Sequence, residues 1–265
     1  MKIRTLCGII LAAVVFGVAV AANGHGDPAD MRGVLCLTFD DRNFESWERC
    51  ISLFEKYDAH ATFFVCGQID ERAEKCMRRL SAAGHSIGLH GLNHLDALKA
   101  IARLGEDGYL REEILPQLSV CREKGLDVRS FAYPYSARSQ QTDALLLRHF
   151  DRLRGGFGKV GDKTWGVWTP PFPVGEASSN RVMMAMCGTN PRDTPDRIAA
   201  MMPQVAASNV IFSAYAHDIE SNGAGHFRNN ITEEDLEKVL AAAKSAGVAV
   251  VGFDELQRSH STTNE

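Results

Sequence analysis

Gly33-Val34-Leu35-Cys36-Leu37-Thr38-Phe39-Asp40-Asp41 is an apolar run that closes on two adjacent carboxylates. It reads as a buried strand, and because successive side chains leave opposite faces of a strand, one carboxylate can bind a metal while its neighbour handles protons. About fifty residues later stands His90-Gly91-Leu92-Asn93-His94. Taken alone, an Asp-Asp pair is most often a solvated turn or helix cap, and a His-x-x-x-His spacing is a weak pattern in a chain with nine histidines. In this order, behind an apolar strand, the two together predict a metal-assisted hydrolytic site.

Working outward, strand-like runs at Val34–Phe39, Ala61–Val65, Ser86–Leu89, Ser130–Tyr133, Val210–Tyr215 and Val248–Gly252 alternate with helix-like stretches, which predicts an α/β fold. Phe44, Trp47, Ile51 and Phe54 recur three or four apart, so 44–57 is expected as one helix packed on a sheet. Further helices are expected over 71–83, 109–124, 140–150 and 195–207, with a break or kink at Pro116. The last one starts at a Thr232 cap and ends before Gly247. Residues 155–180, rich in Gly, Pro and Ser around Trp165, Trp168 and Phe172, read as irregular strands or a loop layer over the sheet's end. No internal repeat and no linker to a second domain is visible.

Thr38-Phe39-Asp40-Asp41, Ala61-Thr62-Phe63-Phe64-Val65, Ala83-Gly84-His85-Ser86-Ile87-Gly88, the His90/His94 pair, Ser130-Phe131-Ala132-Tyr133-Pro134-Tyr135 and Tyr215-Ala216-His217-Asp218 occur in that order. Over 32–258 the chain thereby resembles the polysaccharide deacetylases with a NodB-type domain, the carbohydrate esterases of family four. The resemblance implies a single-domain, distorted (β/α) barrel in which Asp41, His90 and His94 bind a divalent metal. It further implies Asp40 as general base, His217 as general acid and the Tyr135 backbone N–H as oxyanion donor. The substrate would be an acetylated glycan.

That chemistry is consistent on its own terms. Two neutral imidazoles and a carboxylate leave open positions on Zn²⁺, the default ion, and ligand identity alone admits Co²⁺, Ni²⁺ or Mn²⁺. An amide nitrogen leaves poorly unless protonated, so a late-chain imidazole is a requirement for amide substrates. His217 directly follows the apolar run 210–215 and so ends a barrel strand, where catalytic groups gather; His226, in a glycine-rich loop, is the alternative acid or a substrate contact. His60, His85 and His149 read as structural or solvated.

The sequence also departs from the family pattern. Arg42 stands where Gly is usual, either as a solvated loop arginine or as one reaching a hydroxyl-rich glycan. Gly91 replaces a hydroxyl residue, so the histidine loop needs support from the backbone or elsewhere. Ala132 replaces an arginine that steadies the base in many relatives. Arg154 is the candidate substitute, with a surface salt bridge as its alternative reading. The usual fourth motif is not legible; Trp165 or Trp168, together with Tyr133, is assigned to the sugar side, core packing being the competing reading for the tryptophans. Deacylation of an O-acetyl ester or a non-sugar amide, and a catalytically weak glycan-binding protein, are the competing functions.

Lys2 and Arg4, the apolar stretch 6–20 and Ala19-Val20-Ala21 are expected to form a secretory signal over 1–21, leaving no stable membrane span and an exported, periplasmic or extracellular protein. Its removal takes away two positive charges, moving the formal charge from −4 to −6, and argues against a nucleic-acid partner. Six cysteines remain, without a Cys-x-x-Cys spacing; Cys36 and Cys66 read as packed thiols, and Cys50, Cys76 and Cys121 fall in helical patterns. The tail 259–265 and the oligomeric state carry no expectation.

Overall fold

Val34–Asp41 forms β1, and its alternation sorts two layers. Leu35, Leu37 and Phe39 join the larger apolar cluster with Trp47, Phe54 and Leu80 of the surrounding helices, whereas Val34 and Cys36 pack with Phe64, Ala132, Val251 and Phe253 inside the sheet. Asp40 shares the parity of the inner set. The structure, a computed structural model, describes residues 33–156, 172–177, 179–187, 195–221 and 229–256. The expected signal segment, the tail 259–265, Trp165, Trp168 and His226 lie outside the described residues.

The other strands are β2 (Thr62–Val65), β3 (Ser86–Leu89), β4 (Ser130–Ala132), β5 (Arg152–Gly156), β6 (Phe172–Pro173), β7 (Val182–Cys187), β8 (Val210–Ala216), β9 (Ile219–Glu220), β10 (Ile231–Thr232) and β11 (Ala249–Val250). Parallel pairing runs β1-β2-β3-β4-β5-β7-β8, and β8 pairs back onto β1 with Val34 opposite Ile211 and Phe39 opposite Ala216. That return closes a ring of seven parallel strands, the distorted barrel that the sequence predicts. β11 lies against the start of β1, β6 runs antiparallel on the start of β8, and β9 with β10 makes a separate short pair.

The helices are α1 (Phe44–Arg49), α2 (Ile51–Lys56), α3 (Glu71–Ala82), α4 (Ala97–Tyr109), α5 (Leu115–Glu123), α6 (Gln140–Leu146), α7 (Pro195–Ser208) and α8 (Glu233–Ala246). α8 has the expected ends: the Thr232 hydroxyl accepts from Asp235 N, and Gly247 is left-handed at φ 73°. Two expectations need correction. The single helix over 44–57 is two, divided at Cys50. The helix expected over 109–124 is preceded by α4 and a π-helical turn, Leu110–Ile114, and Pro116 sits in the first turn of α5, where its missing N–H costs no hydrogen bond. No described helix is long and apolar enough to cross a membrane. Cys36, Cys50, Cys66, Cys76 and Cys121 are all free thiols.

Candidate metal centre and catalytic cluster

All but one of the candidate groups stand at the C-terminal end of a barrel strand: Asp40 and Asp41 close β1, His90 and His94 follow β3, Tyr135 follows β4 and His217 follows β8, while Arg154 lies midway along β5. Three loops are laced together by backbone hydrogen bonds. Cys66 N donates to Asp41 O at 3.0 Å, Gly67 N to Gly91 O at 2.9 Å, and His90 N to Val65 O at 2.9 Å.

Asp41, His90 and His94 each present one ligand atom, all within 4.8 Å of one another. His90 Nε2 is 3.7 Å and His94 Nε2 3.8 Å from Asp41 Oδ1, close to the separation of about 3.3 Å between donors on a tetrahedral zinc. His90 Nδ1 is 2.8 Å from the Ala132 carbonyl, which makes Nδ1 the donor and leaves the Nε2 lone pair facing the cluster. Burial holds the His90 imidazole below its ordinary range, so it is neutral as a ligand must be. Asp41 has φ 82° and His94 φ 55°. A left-handed non-glycine backbone costs on the order of 1–3 kcal/mol, and two of the three ligand-type residues carry that strain. The three residues therefore fit a divalent ion by donor set and spacing, and His90 fits also by tautomer and charge.

Asp40 and Asp41 do not diverge to opposite faces as adjacent carboxylates of a regular strand would. At φ 82° Asp41 leaves the strand's regular path, and both carboxylates reach His90, with Asp40 Oδ2 at 3.8 Å from Nε2. They differ in environment instead. Asp40 is 2 % exposed, and Arg154, itself 1 % exposed, hydrogen-bonds both of its oxygens through Nη2. Burial alone would push the Asp40 carboxyl upward; the Arg154 guanidinium, then His90 and His217, outweigh it and hold the group below the usual carboxylate range. Arg154 faces Ala132 across the β4–β5 pairing, so the cation missing at 132 is supplied by the neighbouring strand. Its guanidinium lies 4.7 Å from the Tyr215 ring centroid and 5.4 Å from that of Phe64. The surface salt-bridge reading of Arg154 is thus excluded. Arg152, two residues earlier, is equally buried but donates to the carbonyls of Asn180 and Ala177 at 2.6 and 2.9 Å.

His217 brings Nε2 to 3.9 Å from Asp41 Oδ2. Its Nδ1 is 3.1 Å from Asn229 O, a carbonyl that also accepts the His217 backbone N–H at 2.7 Å, so Nδ1 carries the proton and Nε2 faces the cluster. The His217 carbonyl is held in turn by Trp47 Nε1 at 3.1 Å.

Of the assignments to the substrate side, that of Tyr133 does not survive, and Arg42 has partners within the protein. Tyr133 is 1 % exposed, packs against Phe131 and donates its hydroxyl to Asp143 Oδ1 at 3.0 Å, so it cannot meet a glycan. The strand period would put Tyr133 and Tyr135 on one face; left-handed backbone at Tyr135 (φ 56°) and Ser136 (φ 57°) turns Tyr135 outward instead. Tyr135 is 71 % exposed, and its ring is 4.6 Å from that of His94. Arg42 spends its guanidinium on its own protein, donating to Cys66 O at 2.9 Å, Gln68 O at 2.6 Å and Asp70 Oδ2 at 2.8 Å, which braces the loop after β2. His85 is a core residue as expected, its Nδ1 accepting from Ala61 N at 3.1 Å, and His60 pairs with Glu255 at 3.0 Å. Sequence reasoning missed Glu113, a fully buried carboxylate in the π-helical turn that bonds the histidine loop.

A closed (β/α) ring with a candidate Asp/His/His metal centre and a buried Asp–Arg pair at its strand C-termini defines the class of the molecule. The chain belongs to the polysaccharide deacetylase family, whose profile matches residues 28–172. A bifunctional xylanase/deacetylase of Pseudobutyrivibrio xylanivorans is 28% identical over 136 residues, 49% of this chain and 22% of that protein. A peptidoglycan deacetylase of Helicobacter pylori is 31% identical over 102 residues, 38% of this chain and 33% of that protein. The matched stretches thus span a third or less of these relatives. Among solved structures, the chitin deacetylase of Colletotrichum lindemuthianum superimposes with a TM-score of 0.58 at 17% identity, over 88% of this chain and 91% of that one. Peptidoglycan deacetylase PdaC of Bacillus subtilis gives 0.55 at 19%, over 88% and 93%. At those identities the likeness concerns the fold.

Proposed function

We propose that the protein is a metal-dependent, exported deacetylase that hydrolyses acetamide groups of an N-acetylated polysaccharide or oligosaccharide. The observation that carries this reading is the meeting of an arginine-held, ionised Asp40 with Asp41, His90, His94 and the Nε2 of His217, every neighbouring pair less than 4 Å apart. Asp41, His90 and His94 would hold the ion, with zinc the default. When bound, such an ion supplies Lewis-acid polarisation of the acyl oxygen and a lowered pKa for water.

The remaining chemistry belongs to the chain. Asp40, kept ionised by Arg154, accepts the proton of the attacking water. The Tyr135 backbone N–H donates to the oxygen that gains charge as the acyl carbon becomes tetrahedral. His217, with Nδ1 already committed to the Asn229 carbonyl, carries and delivers a proton at Nε2 to the departing nitrogen. The carbon–nitrogen bond breaks, and acetate and an amine leave. The exposed Tyr135 ring beside His94 offers the face of a sugar an apolar wall.

Ester deacylation is the second reading, favoured by the match to a xylanase/deacetylase. Acetate release from N-acetylglucosamine oligomers, peptidoglycan and acetylated xylan by the metal-loaded protein separates the readings. We expect release from the N-acetylated substrates, abolished by chelation and restored by zinc. Release from xylan alone would assign the ester, and none from any of them would leave a glycan-binding protein.

A further inference from the structure

His94 is held in left-handed backbone at φ 55°, on a loop whose residue 91 offers no side chain. What keeps that loop in place comes from the π-helical turn between α4 and α5. Glu113 is fully buried; its Oε2 accepts from Asn93 N and its Oε1 from Leu95 N, each at 2.8 Å. One carboxylate thus grips the amides on both sides of His94. Around it, Leu92 N donates to the Glu113 carbonyl at 3.1 Å and Asn93 Nδ2 to the Glu112 carbonyl at 3.0 Å. Four residues further on, the buried Gln117 donates to Gly67 O at 2.6 Å and so anchors the adjoining loop.

Gly91 belongs to the same arrangement. It has φ +85°, and a Cβ there would stand 2.3 Å from Glu113 Oε1, so a side chain at 91 and this carboxylate exclude one another. A π-helical turn widens the helix by one residue and shifts side-chain direction, a device frequent at functional sites. Among the described residues no cation pairs with Glu113. A fully buried carboxyl group whose two oxygens are both spent on backbone amides is justified by the position it gives the residue between them.

The geometry points to Glu113 as a positioning residue that presets His94 for metal binding by bridging the Asn93 and Leu95 amides. This rests on the metal reading of the site. In Glu113→Gln the side-chain amide keeps one acceptor and turns a donor toward the other loop N–H, so the loop loses one hydrogen bond and gains a repulsion.

The test is the zinc dissociation constant of the full chain by chelator competition, for wild type, Glu113→Gln and Glu113→Asp. Glu113→Gln should bind zinc about 10- to 100-fold more weakly, the usual effect of losing a group that orients a ligand. A residue needed only for packing would lower thermal stability equally with and without zinc; here the stabilisation that zinc confers should shrink. A zinc affinity within twofold of wild type in folded Glu113→Gln overturns the proposal. If the variants do not fold, amide exchange in the metal-free wild-type protein decides. The Asn93 and Leu95 amides should exchange at least about 100-fold more slowly than unprotected amides, since both bond a buried acceptor. Unprotected exchange at both overturns the proposal. Wild-type protein that binds no zinc while both amides stay protected would remove the metal reading and with it the preset ligand, leaving the clamp a purely structural one.

Discussion

Arg154→Met removes the cation from Asp40 while keeping an apolar stem between the Phe64 and Tyr215 rings. In the wild type both partners are almost wholly buried, at 1 % and 2 % exposure, and the guanidinium outweighs the burial that would otherwise raise the carboxyl. A unit-charge pair about 4 Å apart is worth about 4 kcal/mol at an effective dielectric near 20, and an adjacent arginine typically lowers an aspartate by 1–3 pH units. A bound metal ion would supply part of the lost positive charge, so the upward displacement is smaller than loss of the cation alone would give.

The sign follows from the role. The base must be ionised, removing a cation makes ionisation harder, and the acidic limb of the kcat/KM profile therefore moves to higher pH. On that limb activity falls about 10- to 100-fold, and the loss narrows as the pH rises past the displaced limb. Arg154→Lys keeps a charge and should move the limb less.

Stability supplies an independent check. Asp40 in the wild type, depressed when folded, contributes stability above the unfolded carboxyl range that is lost as the pH falls. In Arg154→Met the folded carboxyl is raised instead, so about 3–5 kcal/mol is lost at neutral pH and partly regained on acidification. An unmoved acidic limb in folded, metal-replete Arg154→Met would mean that Arg154 does not hold the base in its ionised form.

His217→Ala should slow an amide substrate far more than an activated ester, because a phenolate leaves unprotonated and an amine does not; equal losses on both, measured as kcat, would leave His217 a positioning role. His90→Ala and His94→Ala should each lose bound zinc and turnover together, and full zinc content in either folded variant, by elemental analysis, would remove that residue from the ligand set. His85 gives a stability prediction away from the site. Burial pushes its imidazole down to about 3, so below pH 6.5 the unfolded chain takes up a proton that the fold refuses. Between pH 6.5 and 4.5 this should cost about 2–3 kcal/mol, and His85→Asn, which retains an acceptor for Ala61 N, should flatten that part of the urea-measured profile; identical slopes would count against it.

Much of the barrel was legible because β1, β2, β3 and β8 are largely apolar runs in which local pattern and burial agree. α4 was not, because Gly105, at φ 72°, puts a non-helical kink inside it and Gly108 weakens the local helical pattern further. Arg154 was legible only through the vacancy at Ala132, since pairing between neighbouring strands brings the two positions opposite each other. Tyr133 was not legible as a core residue, because its burial and its hydrogen bond to Asp143 depend on tertiary packing that the local sequence does not show. Glu113 gave no signal at all. Its role depends on a π-helical turn placing it under a loop some twenty residues earlier in the chain, and a lone glutamate in a helical pattern reads as surface.

The division of labour between adjacent carboxylates is the centre of the account, and bound zinc measured beside acetate release in Asp40→Asn and Asp41→Asn tests it most directly. Asp40→Asn should keep its zinc and lose about 10²- to 10⁴-fold in kcat, whereas Asp41→Asn should lose both zinc and turnover. Zinc lost from Asp40→Asn but retained by Asp41→Asn would contradict the assignment.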